Sequence, residues 1–484
     1  MSDAIIDRLR ALEPLTRPLE PGAEERAALS RAAVAHAESF LSWLETAPAF
    51  CTDEGSAAAI ADAPIGRDPI GMERALSLLS RHVDGNGQNT TAAGFFAFIP
   101  VGSIYLGALG EFLAAVSNRF SGSILAGPGT VRIENQVLRW LGSVVGYPET
   151  AVGNLLSGGS MANLSAIVIA REAAGLKARD FGRAVVYLTE QAHYCVVKGL
   201  RVAGLGECVL RRIPIDERFR MIPAVLEASM AEDARADRIP WLVVATAGTT
   251  DTGAVDPLEA IAEISARHRA WFHCDAAYGG PFALCPEGKR ILRGIERSDS
   301  VALDPHKGLF VSYGVGAVLV KNAAAMRAAY SFAANYIPRA DQLLEDPSPM
   351  ELSPELTRPF RALRLWLPLQ VLGVAPFEAA LEEKLLLARY AHARLCTLDG
   401  VEVGPEPDLS VFVFRALPRH GDVDAYNARL ERSIQEDGRV SLSSTTLNGS
   451  RYLRLAVLSP RTHKDAVDRA IDLIREKIQA LGAA

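Results

Sequence analysis

Three short stretches of this 484-residue sequence carry side chains whose types and order point to one chemistry. In SVALDPHKGLF (300–310), Lys307 follows His306 inside an otherwise apolar run. Burial there would disfavour the ammonium form and make the amine a better nucleophile toward an aldehyde. Taken alone, a lysine after a strand is more often solvated. In HCDAAYGG (273–280), Asp275 follows the strand-like AWFHC, so its carboxylate would emerge at the strand's carboxyl end. An anion in that place keeps a pyridine-type ring nitrogen protonated, although a lone aspartate there is also a common turn former. The Ala-Ala after it is small enough to admit a flat ring. In LSGGSMANLSAI (156–167), a Gly-Gly-Ser turn opens onto a helix. Its backbone N–H groups, the Ser160 hydroxyl and the helix dipole would form a phosphate site; a Gly-rich turn alone is a weak signal.

An amine for an aldehyde, an anion for a pyridinium and a cradle for a phosphate are together the complement of pyridoxal 5′-phosphate (PLP). Their occurrence in order along one chain outweighs the bland reading of each. The elements that must hold them read as α/β. Residues 1–85 form an N-terminal helical segment, with AEERAALSRAAVAHAESFLSWLE its clearest amphipathic run. From about residue 150 apolar strands alternate with helices: RAVVYLTE, CVLRRIPI, WLVVATAGTT and AWFHC are strands, and PLEAIAEISARHR is one of the helices between them. That alternation predicts a mostly parallel sheet covered on both faces, with ligands beyond the carboxyl ends of its strands. A large domain over 86–375 and a smaller α+β domain over 376–484 complete the expected division. The length, at ~150 residues per unit, agrees with about three parts.

Composition narrows the partners. With 49% hydrophobic and 22% charged residues the chain reads as a globular protein with a large core. A net charge of −6 argues against nucleic acid as a partner. The first fifteen residues mix Asp and Arg into apolar positions, unlike a signal peptide, and no uninterrupted apolar run is long enough to span a membrane. The six cysteines show no CxxC spacing, so a reduced cytoplasmic protein without disulfides or a metal site is expected.

From about residue 75 onward the chain resembles the group II PLP-dependent decarboxylases, the family of aromatic-L-amino-acid, histidine and glutamate decarboxylases. The resemblance rests on FFAFIP (95–100), LSGGSMANL, QAHYCVVKG (191–199), TAGTTDTGAVDP (246–257), HCDAAYGG, DPHKG and LTRPFRALRLW (356–366), in that order. It implies a fold-type-I large domain with a seven-stranded sheet. It implies that Lys307 holds PLP as a Schiff base, His306 contacts the phosphate, and Gly158, Gly159 and Ser160 cradle it. By the same resemblance His193 stacks on the ring, Thr246 lies near it, Asp275 pairs with the pyridine nitrogen and Ala277 packs against the ring. Asp304 stands where animal relatives often carry Asn, at the phosphate. Phe98, Ile99 and Pro100 match a segment that lines the substrate pocket, and Arg361 is a candidate for contact with the substrate carboxylate. A homodimer with the active site at its interface is also implied, and the Gly-rich run over 99–116 is a candidate for that interface.

The expected activity is decarboxylation of an L-amino acid to its amine. The apolar FFAFIP and GSILAGPG (122–129) favour an aromatic or aliphatic side chain. One departure matters. Animal aromatic amino acid decarboxylases carry a proton-donating tyrosine on a loop, and the matching interval here, 339–360, contains none. His193, Tyr336 or a residue of a partner subunit remain as donors. Two other readings stay open: an oxidative route to an aldehyde or other PLP lyase chemistry, and a catalytically silent scaffold.

Overall fold

The computed structural model describes residues 2–51, 58, 60, 63, 65–331 and 346–482. Seven strands form the central sheet: β1 (Val152–Leu156), β2 (Ala184–Leu188), β3 (Val209–Arg212), β4 (Ile239–Thr246), β5 (Trp271–Asp275), β6 (Ser300–Leu303) and β7 (Gly316–Val320). Their order is β1-β7-β6-β5-β4-β2-β3. The run from β6 to β3 is parallel, and β7 is antiparallel to both of its neighbours. The mostly parallel seven-stranded sheet expected from the resemblance is therefore present.

Strand burial explains the sequence pattern. Every residue of β2, β6 and β7 is buried, which requires helices on both faces and erases the alternation of a one-sided sheet. In β5 the alternation survives chemically. Phe272 and Cys274 enter the main core, whereas His273 turns to the opposite side and bonds to a helix there. The covering helices include α4 (Pro128–Val144), α5 (Gly159–Ala173), α6 (Cys195–Val202), α7 (Pro223–Arg235), α8 (Leu258–His268) and α9 (Ala323–Tyr330).

Ahead of the sheet lie α1 (Ser2–Thr16), α2 (Ala23–Leu44) and α3 (Tyr105–Ser117). Among the described residues, the amphipathic run in α2 buries only Leu44, so its apolar stripe is largely outside the core that they form. Helix α3 lies against α10 (Leu363–Leu372) at close range. A Cβ at Gly110 would stand 2.7 Å from the carbonyl oxygen of Leu363, so only glycine permits that approach.

The chain ends with α11 (Ala375–Leu395), then β8 (Val401–Val403), β9 (Val411–Ala416), α12 (Val423–Asp437), β10 (Ser443–Leu447), β11 (Ser450–Ala456) and α13 (Lys464–Gly482). The four strands make an antiparallel sheet of order β8-β9-β11-β10. Phe412, Phe414, Leu453 and Leu455 pack on Leu430, Ile434, Ile471 and Ile474 in a second core. Phe96 joins that core from far upstream, and its amide and carbonyl bond to Ser441 and Ala456. The FFAFIP segment therefore straps the C-terminal unit to the rest.

A buried ion pair fixes the entry to α10. Arg358 and Glu134 both have fully buried side chains, with Arg358 Nη2 2.8 Å from Glu134 Oε1. The same guanidinium donates to Asn154 Oδ1 and to the carbonyls of Leu155 and Ser121. The end of β1, α4 and the chain before α10 thus share one charge. Removing one partner of such a pair leaves the other unpaired and typically costs about 3–5 kcal/mol. Arg358→Ala should lower the stability of the holoenzyme by that order in urea denaturation; a loss under ~1 kcal/mol would contradict the role given to the pair.

Candidate active site

Five segments leave the carboxyl ends of the strands and meet around one cavity of about 300 Å³. The turn after β1 contributes Ser157, Gly158, Gly159 and Ser160, and β4 ends at Thr246. Strand β5 ends at Asp275 and runs on to Ala277 and Tyr278. The turn after β6 carries Asp304, His306 and Lys307, and the segment after β2 brings His193 and Cys195. Every residue that the sequence marks for the cofactor lines this cavity.

Lys307 lies 2.9 Å through Nζ from Asp304 Oδ2. Burial works to lower its pKa, but the charge and hydrogen bond of Asp304 outweigh burial and the net direction is upward. The sequence suggested an amine whose charge is disfavoured; the neighbouring carboxylate reverses that expectation. Asp304 is 2% exposed, and its Oδ1 has no hydrogen-bond partner among the described residues. His306 Nδ1 lies 2.6 Å from the carbonyl of Val315, and its Nε2 stands 3.7 Å from Asp304 Oδ2. Burial lowers the pKa of His306, so the ring is neutral and donates from Nδ1 to that carbonyl. His193 is also lowered, by burial first, with Lys307 adding to the effect and Asp275 opposing it. Its Nδ1 accepts the backbone N–H of Cys195 at 3.3 Å, which leaves the proton of the neutral ring on Nε2. Asp275 accepts the Ala277 N–H at 3.2 Å.

Buried polar groups hold these segments in register. Trp271 Nε1 donates to Ser300 Oγ, and Ser300 Oγ lies 2.8 Å from His273 Nδ1. His273 Nε2 lies 2.8 Å from Asn163 Oδ1, and Asn163 Nδ2 donates to the carbonyl of Gly159 and to Cys195 Sγ. One assignment of protons satisfies the whole line, with neutral His273 donating from Nε2. The line joins the strand that carries Asp275, the first turn of α5 and the segment that carries His193. Asp256 fixes Thr246 by accepting its N–H at 2.8 Å. Burial moves the Asp256 carboxyl up to about 6, against the two backbone N–H groups that favour its charge.

Other residues named from the sequence fall elsewhere. Arg361 is engaged with Glu355 at 2.6 and 2.8 Å and does not line the cavity, so the candidate contact with a substrate carboxylate is not what the fold gives it. Phe98, Ile99 and Pro100 are also absent from the lining of the cavity. Phe98 is half exposed with a left-handed φ of 51°, and its carbonyl accepts from Arg454. Tyr336 and positions 339–345 lie outside the described residues. Asn163, Cys195, Gly248, Thr250 and Tyr278 line the cavity without having been singled out. Arg454 on β11 was missed as well. It is 3% exposed and donates to the carbonyls of Phe98, Thr250 and Asp251 and to Ser443 Oγ.

PLP fits the residues present. A Cβ on Gly159 would lie 2.7 Å from Asp304 Oδ2 and 3.1 Å from Ala277 Cβ, so the first turn of α5 stays open to a ligand only as glycine. An ammonium, a carboxylate at a strand end and a helix N-terminus surround one space, and the orphaned Asp304 Oδ1 awaits a partner. The parallel sheet, the lysine-bearing turn and this cavity define a fold-type-I PLP enzyme. Residues 85–417 match the pyridoxal-dependent decarboxylase conserved domain, and the chain belongs to that family. It is a PLP-dependent carboxy-lyase. An aromatic-L-amino-acid decarboxylase of Bacillus atrophaeus is 36% identical over 402 residues, 82% of this chain and 83% of that protein. An L-2,4-diaminobutyrate decarboxylase of Rhizobium meliloti is 32% identical over 77% of this chain and 75% of its own length. The crystal structure of an Oryza sativa protein, "TDC with PLP and tryptamine", superposes with a TM-score of 0.90 at 26% identity, covering 96% of this chain and 99% of that one.

The buried line carries a pH signature. Burial lowers the His273 pKa from 6.5 to about 4. Between those values the unfolded chain takes up a proton that the folded chain refuses, so this stability is present above about 6.5 and is lost as pH falls toward 4. His273→Asn should therefore lose less stability than the parent between pH ~6.5 and ~4 in urea titrations. Equal slopes in the two proteins would contradict a neutral, buried His273.

Proposed function

We propose that this enzyme decarboxylates an aromatic L-amino acid to the corresponding amine, with PLP bound through Lys307. The observation that carries the reading is the convergence of Lys307, Asp275 and the first turn of α5 on one cavity. The 36% identity to an aromatic-L-amino-acid decarboxylase supports the substrate class. When bound, PLP supplies an electron sink for the charge left on the substrate's Cα as carbon dioxide departs.

The chain's own residues do the rest. Lys307 Nζ anchors the cofactor's aldehyde carbon and yields it to the substrate amine. Asp275, 5% exposed at the end of β5, would pair with the ring nitrogen of the bound cofactor. Gly158, Gly159 and Ser160 hold the phosphate with backbone donors and the helix dipole, and His306 flanks it. Ala277 and Thr246 wall the ring. His193 offers a neutral ring face and an Nε2–H for hydrogen bonding in the cavity. Of the segment that the resemblance assigns to the substrate's side chain, Phe98 is the residue with a connection to the cavity. Arg454 ties Phe98 to Thr250, a cavity residue.

The working form is a homodimer with its active sites at the interface. Helix α1 leaves Ile5, Leu9 and Leu15 at 58–73% exposure, and α3 leaves Phe112, Leu113 and Val116 at 48–69%. Apolar area of that extent on one chain is characteristic of an interaction surface. Among the described residues no helix is long and apolar enough to cross a membrane, and the six cysteines are unpaired, which supports a cytoplasmic setting.

A second reading has its own support. The interval 339–360 contains no tyrosine, so a Cα left without a prompt proton could instead be oxidised by dioxygen to an aldehyde. Product analysis with phenylalanine, tyrosine and tryptophan separates the two. Equal yields of carbon dioxide and amine are expected, whereas aldehyde with ammonia and peroxide would overturn simple decarboxylation. Lys307→Ala should abolish the visible absorbance of the bound cofactor and lower kcat by more than ~10³-fold; turnover within tenfold of the parent would reject Lys307 as the anchor. Sedimentation of the holoenzyme should give twice the chain mass, and a fully active monomer would contradict the dimer.

A further inference from the structure

We infer that Asp304 is the acid–base catalyst of bond exchange at Lys307. This rests on Lys307 being the anchor of PLP. Its carboxylate takes a proton from the Lys307 ammonium, freeing the Nζ lone pair, and later returns that proton to the oxygen that leaves as water.

Four observations support the assignment. Asp304 Oδ2 is 2.9 Å from Nζ, within direct proton-transfer reach. Asp304 is buried and Lys307 partly so, and the net upward shift of Lys307 means that the amine waits as an ammonium, which has no lone pair to attack with. Among the described residues Asp304 has no arginine clamp. Its ion partners among the described residues are Lys307 and, at 3.7 Å, the neutral His306, whereas Glu134 and Glu355 are fixed by Arg358 and Arg361. Its second oxygen, Oδ1, makes no hydrogen bond among the described residues, so the carboxyl can hold a proton without breaking another contact there.

The groups around it leave this exchange to the pair. Lys307 and His306 come from its own turn, Asp275 from the end of β5, His193 from the segment before α6 and Cys195 from the first residue of that helix. His306 Nδ1 is committed to the Val315 carbonyl. The Cys195 thiol is pushed up to about 12, by burial first, so it stays protonated and does not compete as a base.

The step balances without an outside reagent. One proton passes from Nζ to Oδ2, and the Nζ lone pair forms a bond to the aldehyde carbon while the carbonyl electron pair moves to its oxygen. A second Nζ proton shifts to that oxygen, giving a hydroxyl. Asp304 then returns its proton to the hydroxyl, water leaves, and the remaining N–H nitrogen closes a double bond to carbon. Charge and proton count are unchanged overall. The reverse sequence serves release of the lysine.

The test is the rate at which apoprotein forms the carbon–nitrogen bond with added PLP, followed by its visible absorbance across pH. Binding of pyridoxine 5′-phosphate, which has no aldehyde, is measured in parallel. Asp304→Asn should bind pyridoxine 5′-phosphate within about threefold of the parent yet form the bond ~100-fold more slowly near pH 7. Because Asp304 is what holds the proton on Lys307, the amine of the Asn variant is already free, the deficit lies in loss of water, and the gap should widen as pH rises and the solvent supplies fewer protons to the leaving oxygen. Asp304→Glu, which keeps the acid, should recover most of the rate and answers the same question if the Asn variant does not fold. Bond formation by Asp304→Asn at the parental rate would overturn the inference. So would an equal loss of bond formation and pyridoxine 5′-phosphate binding at every pH, or an Asp304→Glu rate as slow as that of the Asn variant. A parent protein that gives no Lys307-dependent absorbance would instead reject Lys307 as the anchor.

Discussion

The site depends on a balance of charge in a place with little water. Lys307 brings a positive charge to the cavity, and Asp304 answers it at 2.9 Å. The two histidines nearest them, His193 and His306, are kept neutral by burial and add no charge. An ionised group in such surroundings needs a partner, and each misplaced charge would cost several kcal/mol, about as much as a whole domain's margin of stability. The fold is therefore obliged to bring the turn after β6, the end of β5 and the segment after β2 to one point. The parallel strands do so because their carboxyl ends all open on the same edge of the sheet.

Rigidity at that edge comes from buried polar lines rather than from apolar packing alone. The chain of bonds from Trp271 through Ser300 and His273 to Asn163 reaches the first turn of α5 and Cys195. Arg358 and Glu134 do the same for the end of β1 and the approach to α10. Arg454 ties the second sheet to Phe98 and to the turn after β4. Such networks are costly when half made and rigid when complete, which suits a site that must hold a flat ring in one orientation.

Much of this was legible in the sequence. The apolar run of β4, the short strand before Asp275 and the Gly-Gly-Ser turn each carry a local signal. The cavity unites every residue those signals named for the cofactor. Asn163 was within reach, since it lies four residues after Gly159 and so shares its helix face. Arg454 was not, because it reaches the site from a segment with no motif of its own, whereas Cys195 and Tyr278 sit inside QAHYCVVKG and HCDAAYGG without a side-chain pattern that singles them out. The antiparallel strand β7 was hidden for a related reason: its burial on both faces leaves a uniform apolar run without direction. The pKa of Lys307 was misjudged because burial is visible in a hydrophobic run, while the position of the Asp304 carboxylate depends on the turn. The exposed stripe of α2 shows that an amphipathic pattern names a face without naming what covers it.

The most direct test of the account is reduction of the holoenzyme with borohydride, followed by peptide mass mapping. Reduction fixes the cofactor to the amine that holds it, independently of substrate and turnover. A single phosphopyridoxyl group on the peptide containing Lys307 is the predicted result. A label on another lysine, or none on protein that has taken up PLP, would contradict the site described here.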